Sequence, residues 1–440
     1  MISFRKVLLS DKAAIDNLLK DNTTPVCDYC FANIYAWQPA YDTEWAEVCG
    51  MLVVRFRLPD GDWAYMPVGG GDIGPVLGEL HRVAVADYSR LRLVSLDGRF
   101  ANVFGEEYAV CDNPDYRDYI YLVEDMCELR GRKYQPKRNH INRFESSYNY
   151  TFEVLRPTDF EECLALTCLW HSRKCSVVSE ACCEQSDEHC AIKRVFDAYD
   201  QLDMLGGVLR VDGRVVAFAM GSPLSRDTFC VHFEKADADY QGVFPMINRL
   251  FAKELAQRGY IYVNREEDMG LEGLRRAKQS FYPVRFEPKL GVVAITKAER
   301  EWIELWHEVF GDEKELINHF FVEYFEPRNL LFTECDGRVV AMLYIVEIIT
   351  DFGSTAYLYA IATHPAWRGQ GIASELIAKA LEQARERGCR AAMLIPGEES
   401  LKSFYAKFGF EDVAYKLDFA DGFDYGTGDS ECDLAMVKQL

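Results

Sequence analysis

The hexapeptide Asp-Gly-Arg-Val-Val-Ala occurs twice in this chain, at 212–217 and at 336–341, each time between two apolar, strand-like runs. Asp-Gly between such runs is a hairpin signal, because both residues tolerate the positive φ that a two-residue turn demands. Downstream of each copy a glycine leads into a helical pattern, YQGVFPMINRLFAKELAQRG at 240–259 and WRGQGIASELIAKALEQARERG at 367–388. A shared hexapeptide with the same order of elements and matching distances marks a duplicated module. The 440 residues allow roughly two to three domains.

The downstream copy is the clearer. EREWIELWHEVF and KELINHFFVEYF are amphipathic helices, and NLLFTECDGRVVAMLYIVEII is two strands about Asp336-Gly337. TAYLYAIATHP is a strand ended by Pro365, followed by a glycine loop and a helix to Arg387. The strand CRAAMLIP, the helix SLKSFYAKFG and the closing strands EDVAYKLDF and DLAMVKQL complete it. Gly369 and Gly371 stand where a strand turns into this long helix. Glycine weakens a helix interior, so a pair at its start points to a need for close backbone approach. Free N–H groups at a helix N-terminus form a ready anion site, and phosphate or pyrophosphate is the usual occupant. Arg368-Gly-Gln-Gly is neither a Walker loop nor a three-glycine Rossmann fingerprint.

Bulk properties narrow the partners. A formal charge of −21 argues against a generally nucleic-acid-binding surface and against docking on anionic lipid, so an anionic partner needs a local basic patch. The first residues lack a signal peptide's apolar core and cleavage site, and the longest apolar run, VVAMLYIV at 339–346, is far short of a membrane helix. The expectation is a cytoplasmic protein without membrane insertion, its fifteen cysteines reduced.

The glycine loop resembles the pyrophosphate loop of the GNAT N-acetyltransferases, matching at Arg368, Gly371 and Ala373, and FYAKFGF at 404–410 resembles a second motif of that family. The resemblance implies that acetyl-CoA, or another acyl-CoA, is bound between the strand ending at Ile361 and Ala362 and the strand AAMLI. Backbone amides of Arg368, Gly369, Gln370, Gly371, Ile372 and Ala373 would hold its pyrophosphate. Tyr405 falls where the family's general acid stands, and no metal is implied. Where the family often has an Asn, seven residues before that tyrosine, this chain has Glu398. Glu347 and His364 are candidates for the base, although each also reads as an ordinary strand or loop residue.

The upstream copy keeps Gly242 but has Phe244-Pro245 in place of the second glycine, and proline removes an N–H from the cradle. Its strings FEKADADYQG and YIYVNREEDMGLEGLRRAKQSFYP, with LRGRKYQPKRNHINRFESSY at 129–148, resemble soluble relatives of the phosphatidylglycerol lysyltransferase C-terminal domain. That family has tandem GNAT-like halves, and its membrane-linked members move an aminoacyl group from tRNA to lipid. Arg130, Arg132, Lys133, Lys137, Arg138 and Arg143 form the one dense basic cluster. With Arg265, Arg275, Arg276 and Lys278 they could face an anionic ligand such as an RNA end, or be solvated faces balanced by nearby acids. Glu234, Lys235, Asn264, Arg265, Glu266 and Asp268 are strand-end polar residues suited to a pocket or to structural ion pairing.

Before residue 150, EVCGMLVVRFRL and DWAYMPVGG read as a hairpin about PDGD, followed by the helix IGPVLGELHRVAVADY and the strand RLRLVSL. This is compatible with a third, degenerate copy. GGGDIG at 69–74 reads as turn chemistry, since Asp72 would repel a phosphate. Cys27-Asp-Tyr-Cys30 lacks a second pair. Cys168, Cys175, Cys182, Cys183 and Cys190, with His171 and His189, read as small buried groups along a helix rather than a zinc site.

The expected fold is α/β (α+β), with three GNAT-like modules of mixed sheets flanked by helices at 1–150, 151–296 and 297–440. The leading expectation is an acyl-CoA-dependent N-acyltransferase whose last module acetylates a small-molecule or peptide amine. One alternative is an aminoacyltransferase using aminoacyl-tRNA at 130–280. Another makes the upstream pair a non-catalytic acceptor-recognition module.

Overall fold

The structure is a computed structural model and describes residues 2–20, 22–59, 61–87, 89–173, 186–413 and 435–440. The first strands are β1 (Arg5–Lys6), β2 (Glu44–Val48), β3 (Met51–Arg57), β4 (Trp63–Val68), β5 (Arg92–Asp97) and β6 (Tyr108–Asp112). Next come β7 (Asp118–Leu122), β8 (Tyr150–Val154), β9 (Leu205–Val211), β10 (Arg214–Pro223), β11 (Thr228–Ala236), β12 (Tyr262–Asn264) and β13 (Arg285–Glu287). β14 (Lys289–Ala294) returns to the first sheet. The rest are β15 (Leu330–Cys335), β16 (Arg338–Thr350), β17 (Gly353–Thr363), β18 (Ala391–Leu394), β19 (Glu411–Val413) and β20 (Ala435–Gln439).

Three mixed sheets result, ordered β1-β2-β3-β4-β5-β14-β6, β13-β7-β12-β11-β10-β9-β8 and β15-β16-β17-β18-β20-β19. The chain divides into two compact units, 1–104 with 111–293, and 105–110 with 294–440. In the first unit one core joins Leu52, Val54, Met66 and Val68 of the first sheet to Val208, Phe218, Met220 and Phe233 of the second. The other face of the second sheet packs on the helices Val123–Glu128, Gln135–Ser147 and Val243–Gln257. Position 150 starts β8, the edge strand of this second sheet, and Thr296 caps the first helix of the last unit.

The hexapeptide copies adopt the same local structure. Asp212 and Gly213 have φ 49 and 85, Asp336 and Gly337 have φ 51 and 75, and each pair closes a hairpin. Both following strands bulge at the equivalent valine, where the register shifts between Val215 and Ala217 and between Thr333 and Glu334. The bulged carbonyls accept equivalent hydrogen bonds, Val216 from Asp237 N at 2.8 Å and Val340 from His364 N at 2.9 Å. Bulges break the ladder and re-aim the strand, so repeating one at the same place repeats the sheet's shape.

One strand reading is corrected. EVCGMLVVRFRL is not a single strand, because Cys49 (φ 51) and Gly50 (φ 80) turn it into the hairpin of β2 and β3. Asp72 caps the Ile73–Ala86 helix by accepting from Gly74 N at 2.9 Å, a local use of the GGGDIG turn. In the last unit Thr296 and Glu299 form a reciprocal capping box, which starts the Lys297–Phe310 helix. That helix buries Trp302 and Trp306 against Phe320 and Tyr344. Cys175, Cys182 and Cys183 lie outside the described residues, as does most of EDVAYKLDF.

Candidate functional site

In the last unit β17 pairs in parallel with β18 only over Thr355–Tyr357 against Ala391–Met393. β18 stops at Leu394, while β17 runs on along β16 through Ala362 and Thr363. The residues between those points lie alongside no β18 residue, so the two parallel strands part. Ala360 sits at φ 51 where the register with β16 shifts, which bends β17 within this gap. The Thr363 hydroxyl is buried without a hydrogen-bond partner among the described residues.

The chain then turns at Pro365–Trp367, where His364 Nδ1 accepts from Ala366 N at 3.2 Å. His364 Nε2 is 3.5 Å from Glu308, so this imidazole holds its own loop. Arg368 Nε donates to Thr363 O at 3.1 Å, and Arg368 through Gly371 are exposed. Gly369 (φ 79) and Gly371 (φ 84) need the left-handed region, and a Cβ at either would meet nothing within 4 Å. Gly371 caps the Ile372–Glu386 helix, and Glu375 N makes the first bond back to Gly371 O. The N–H groups of Ile372, Ala373 and Ser374 therefore lack intrahelical partners and carry the positive end of the helix dipole. Open backbone, free donors and a guanidinium at parted strands suit a phosphate-bearing ligand with an amide chain.

Tyr405, on the short helix Lys402–Ala406, is buried in one core cluster with Leu376, Ile377 and Phe410, the last ring edge-on to it. Burial pushes its phenol up to about 12, so it stays protonated at neutral pH and can donate. Glu398 is exposed and accepts from Ser400 Oγ at 3.1 Å. Glu347 is not brought to the loop. It pairs with Arg387 at 3.1 Å, beyond the other end of a 15-residue helix, a separation of about 22 Å along that helix.

The upstream candidates are mostly occupied with one another. Glu234 pairs with Arg265 at 3.0 Å and accepts from Asn248 at 2.9 Å. Arg265 Nη1 is buried without a hydrogen-bond partner among the described residues. Lys235 pairs with Glu188 at 2.6 Å and lies over Trp170. Asp268 accepts from Tyr119 and from Arg275 at 2.9 Å, and Asn264 donates to Pro25 O and Asp118. Arg138 is spent on the carbonyls of Leu129 and Gly131. Lys137 donates to Ser280 at 2.6 Å, and burial, with Arg265 nearby, pushes it down to about 8. Arg132 and Lys133 remain exposed, Lys133 over the Tyr134 and Tyr282 rings.

Two polar clusters lie inside the first unit, and the CxxC segment enters both, with Cys27 and Asp28 in the first and Cys30 beside the second. Lys289 Nζ lies 2.9 Å from Asp28 and 2.8 Å from both Asp118 and Glu267. Burial pushes Asp118 up to about 7 against the pull of Lys289, whereas Lys289 overcomes burial at Glu267 and holds it near about 2. Cys27, Asp118 and Glu267 have donor atoms within 4.8 Å of one another, but the ammonium already sits among them as their cation. In the second cluster Ser222 Oγ is 2.8 Å from His232 Nε2, and His232 Nδ1 is 2.9 Å from Glu266. Cys30 and Cys230 flank it at 3.8 Å and 3.9 Å from His232 and Glu266 respectively. Burial raises the Glu266 carboxyl, which the His232 hydrogen bond pulls back, and keeps the Cys230 thiol un-ionised. The sequence reading named Glu266 but missed Ser222 and His232. A lone His in an apolar strand is a weak signal, and only the β10–β11 hairpin brings the serine to it.

Parted parallel strands before a glycine-capped helix, on repeated modules with matching bulges, define the GNAT-like fold of acyl- and aminoacyl-transferases. The profile described as "Phosphatidylglycerol lysyltransferase, C-terminal" matches residues 23–293, and the chain belongs to that family. A second profile, "Acetyltransferase (GNAT) domain", matches residues 294–413. A conserved protein of unknown function from Bacteroides thetaiotaomicron VPI-5482 is 35% identical, with TM-score 0.61, over 67% of this chain and 100% of that one. The Uncharacterized N-acetyltransferase YjgM of Escherichia coli (strain K12) is 27% identical over 28% of this chain and 72% of its own length. The Cysteine-rich protein 2-binding protein of Mus musculus is 29% identical over 28% of this chain, which spans only 17% of that relative. The two profiles are those of a lysyltransferase C-terminal domain and of an acetyltransferase domain, matched one after the other along the chain. Among the described residues no helix is long and apolar enough to cross a membrane.

Proposed function

We propose that this is an acyl-CoA-dependent N-acyltransferase, working in the cytoplasm, that moves an acetyl group to a small-molecule or peptide amine through residues 297–440. The observation that carries this reading is the open, glycine-capped N-terminus of the Ile372–Glu386 helix beside the parted ends of β17 and β18. In it, the amides from Arg368 to Ala373 bind the pyrophosphate and the β17 edge at Ile361 and Ala362 orients the pantetheine amides. When bound, the thioester supplies an activated acyl carbon. Tyr405 holds a proton for the departing sulfur, and positioning does most of the remaining work. Titration calorimetry with acetyl-CoA tests it. Micromolar binding that disappears in Gly371→Glu supports the site, and no binding to the intact chain overturns it.

A second reading is favoured by family membership, because lysyltransferase-type domains use aminoacyl-tRNA. It predicts salt-sensitive RNA binding that falls when Arg132 and Lys133 are neutralised. Should neither ligand bind, the upstream pair is best read as a recognition module for the acceptor.

A further inference from the structure

The line Ser222–His232–Glu266 belongs to the first unit and has no role in the reading above. In the neutral ring one tautomer satisfies both contacts, with Nδ1–H donating to Glu266 and Nε2 accepting from the Ser222 hydroxyl. Burial pushes the imidazole down, but the neighbouring Cys230 and Cys30 sulfurs raise it above its ordinary value. The backbone is bent to make it. The β10–β11 register shifts between Met220 and Gly221, leaving His232 on a bulge opposite no residue. Glu266 is held at φ 57 with its N–H bonded to Asn264 Oδ1 at 2.6 Å. Strain at a non-glycine residue persists where surroundings over-determine it, and such residues cluster at functional sites.

Ser222 also lines a cavity of about 640 Å³. The buried part of its wall is Tyr29, Cys30, Phe31, Ala32 and Leu202 beside the serine. Its ionisable lining balances, with Lys12, Lys20 and Arg226 against Asp16, Asp203 and Asp227. Apolar depth with no net charge selects a neutral ligand over a phosphate or a polycation.

We propose that Ser222 is a nucleophile toward neutral carboxylic esters in this cavity, with His232 as its base and Glu266 as a positioning residue. The Oγ–C bond forms as the hydroxyl proton passes to His232 Nε2, and the ester's alcohol leaves carrying that proton. Water then attacks the acyl-serine, gives a proton to Nε2, and releases the carboxylic acid as Oγ takes the proton back. The sum is ester plus water to acid plus alcohol, with no oxidant or cofactor.

The test treats the full chain with a fluorophosphonate and maps the adduct by peptide mass spectrometry. One adduct per chain on Ser222, with loss of fluoride, is expected. An adduct on Cys30 or elsewhere, or none, overturns the proposal. His232→Ala should slow labelling about a hundredfold, as expected for loss of a general base, and free imidazole should restore part of the rate. Labelling at the unmodified rate in that variant also overturns it. With p-nitrophenyl acetate as probe, Glu266→Gln should lower kcat about tenfold at unchanged KM. A change in KM alone would assign Glu266 to cavity shape and remove it from the relay. Acetyl-CoA titration of Ser222→Ala should match the parent, which separates this site from the one in the last unit.

Discussion

Gly242 and Gly371 stand at the same point of two repeats, each at a helix N-terminus with φ 86 and 84. This corrects the alignment read from the sequence, since the glycine missing upstream is the first of the pair, at Gly369, and not the second. The surroundings of Gly242 and Gly371 are opposite. A Cβ on Gly242 would lie 2.2 Å from the His140 carbonyl oxygen, because the Gln135–Ser147 helix packs directly against the turn. A Cβ on Gly371 would meet only open space. The surroundings of the strands differ likewise, since by β11 and β12 Glu234 pairs with Arg265 and accepts from Asn248, whereas the turn after β17 is exposed from Arg368 through Gly371. Duplication preserved the turn, the bulge and the glycine. Whether the cradle can receive a ligand was decided by what packs on it.

Substituting each glycine should separate the two roles. Gly242→Ala forces both a backbone clash and a strained φ, and should destabilise the first unit by about 3 kcal/mol in denaturant melts while acetyl-CoA binding persists. Gly371→Glu should weaken acetyl-CoA by about a hundredfold in calorimetry, since it sets a carboxylate against the pyrophosphate. Its strained φ without a clash should cost about 1 kcal/mol of stability, less than Gly242→Ala. If Gly242→Ala also abolished CoA binding, the contrast between the copies would fail.

A smaller effect comes from the cluster around Lys289. The folded pKa of Asp118, about 7, lies above its ordinary 3.8. The stability it contributes is complete below 3.8 and is lost as pH rises through 7. Thermal melts of the parent should therefore decline between about pH 4 and pH 7, by at most about 1.4 kcal/mol per pH unit, and level off above. In Asp118→Asn that slope should flatten. Next, Tyr405→Phe should lower kcat about tenfold or more with acetyl-CoA affinity unchanged, read by steady-state kinetics beside calorimetry. Last, Glu347→Ala should leave turnover within a factor of about two, because its partner Arg387 lies at the far end of the helix.

The fold of the last unit was legible because its signals are local. Asp336-Gly337 closes a hairpin by turn chemistry, the apolar residues of EREWIELWHEVF recur at helical spacing, and glycine at 371 marks the next helix start. The Cys49-Gly50 turn was missed because a cysteine at φ 51 has no propensity to announce it. Placement explains the rest. Glu347 alternates correctly for a strand, yet only three-dimensional register reveals that it faces Arg387. The basic cluster at 130–143 looked like one surface, but Arg138 turns inward to carbonyls and Lys137 to Ser280, a distinction that charge counts cannot make. Ser222 meets His232 only through the register of a bulged hairpin, and His232 and Lys289 meet their carboxylates through long-range pairing, neither of which leaves a periodic trace.

The return of β14 to the first sheet has a consequence for biosynthesis. Lys289 pairs with Asp97 and Val293 with Arg92, and β14 stands between β5 and β6. A ribosome emits the first five strands long before the strand that completes their sheet. Until then β5 offers an unpaired edge, and edges of that kind recruit other chains. Closure across so long a loop is slow. Nascent chains halted before Lys289 should therefore lean on chaperones, and truncations ending there should aggregate although they carry most of the family's residues.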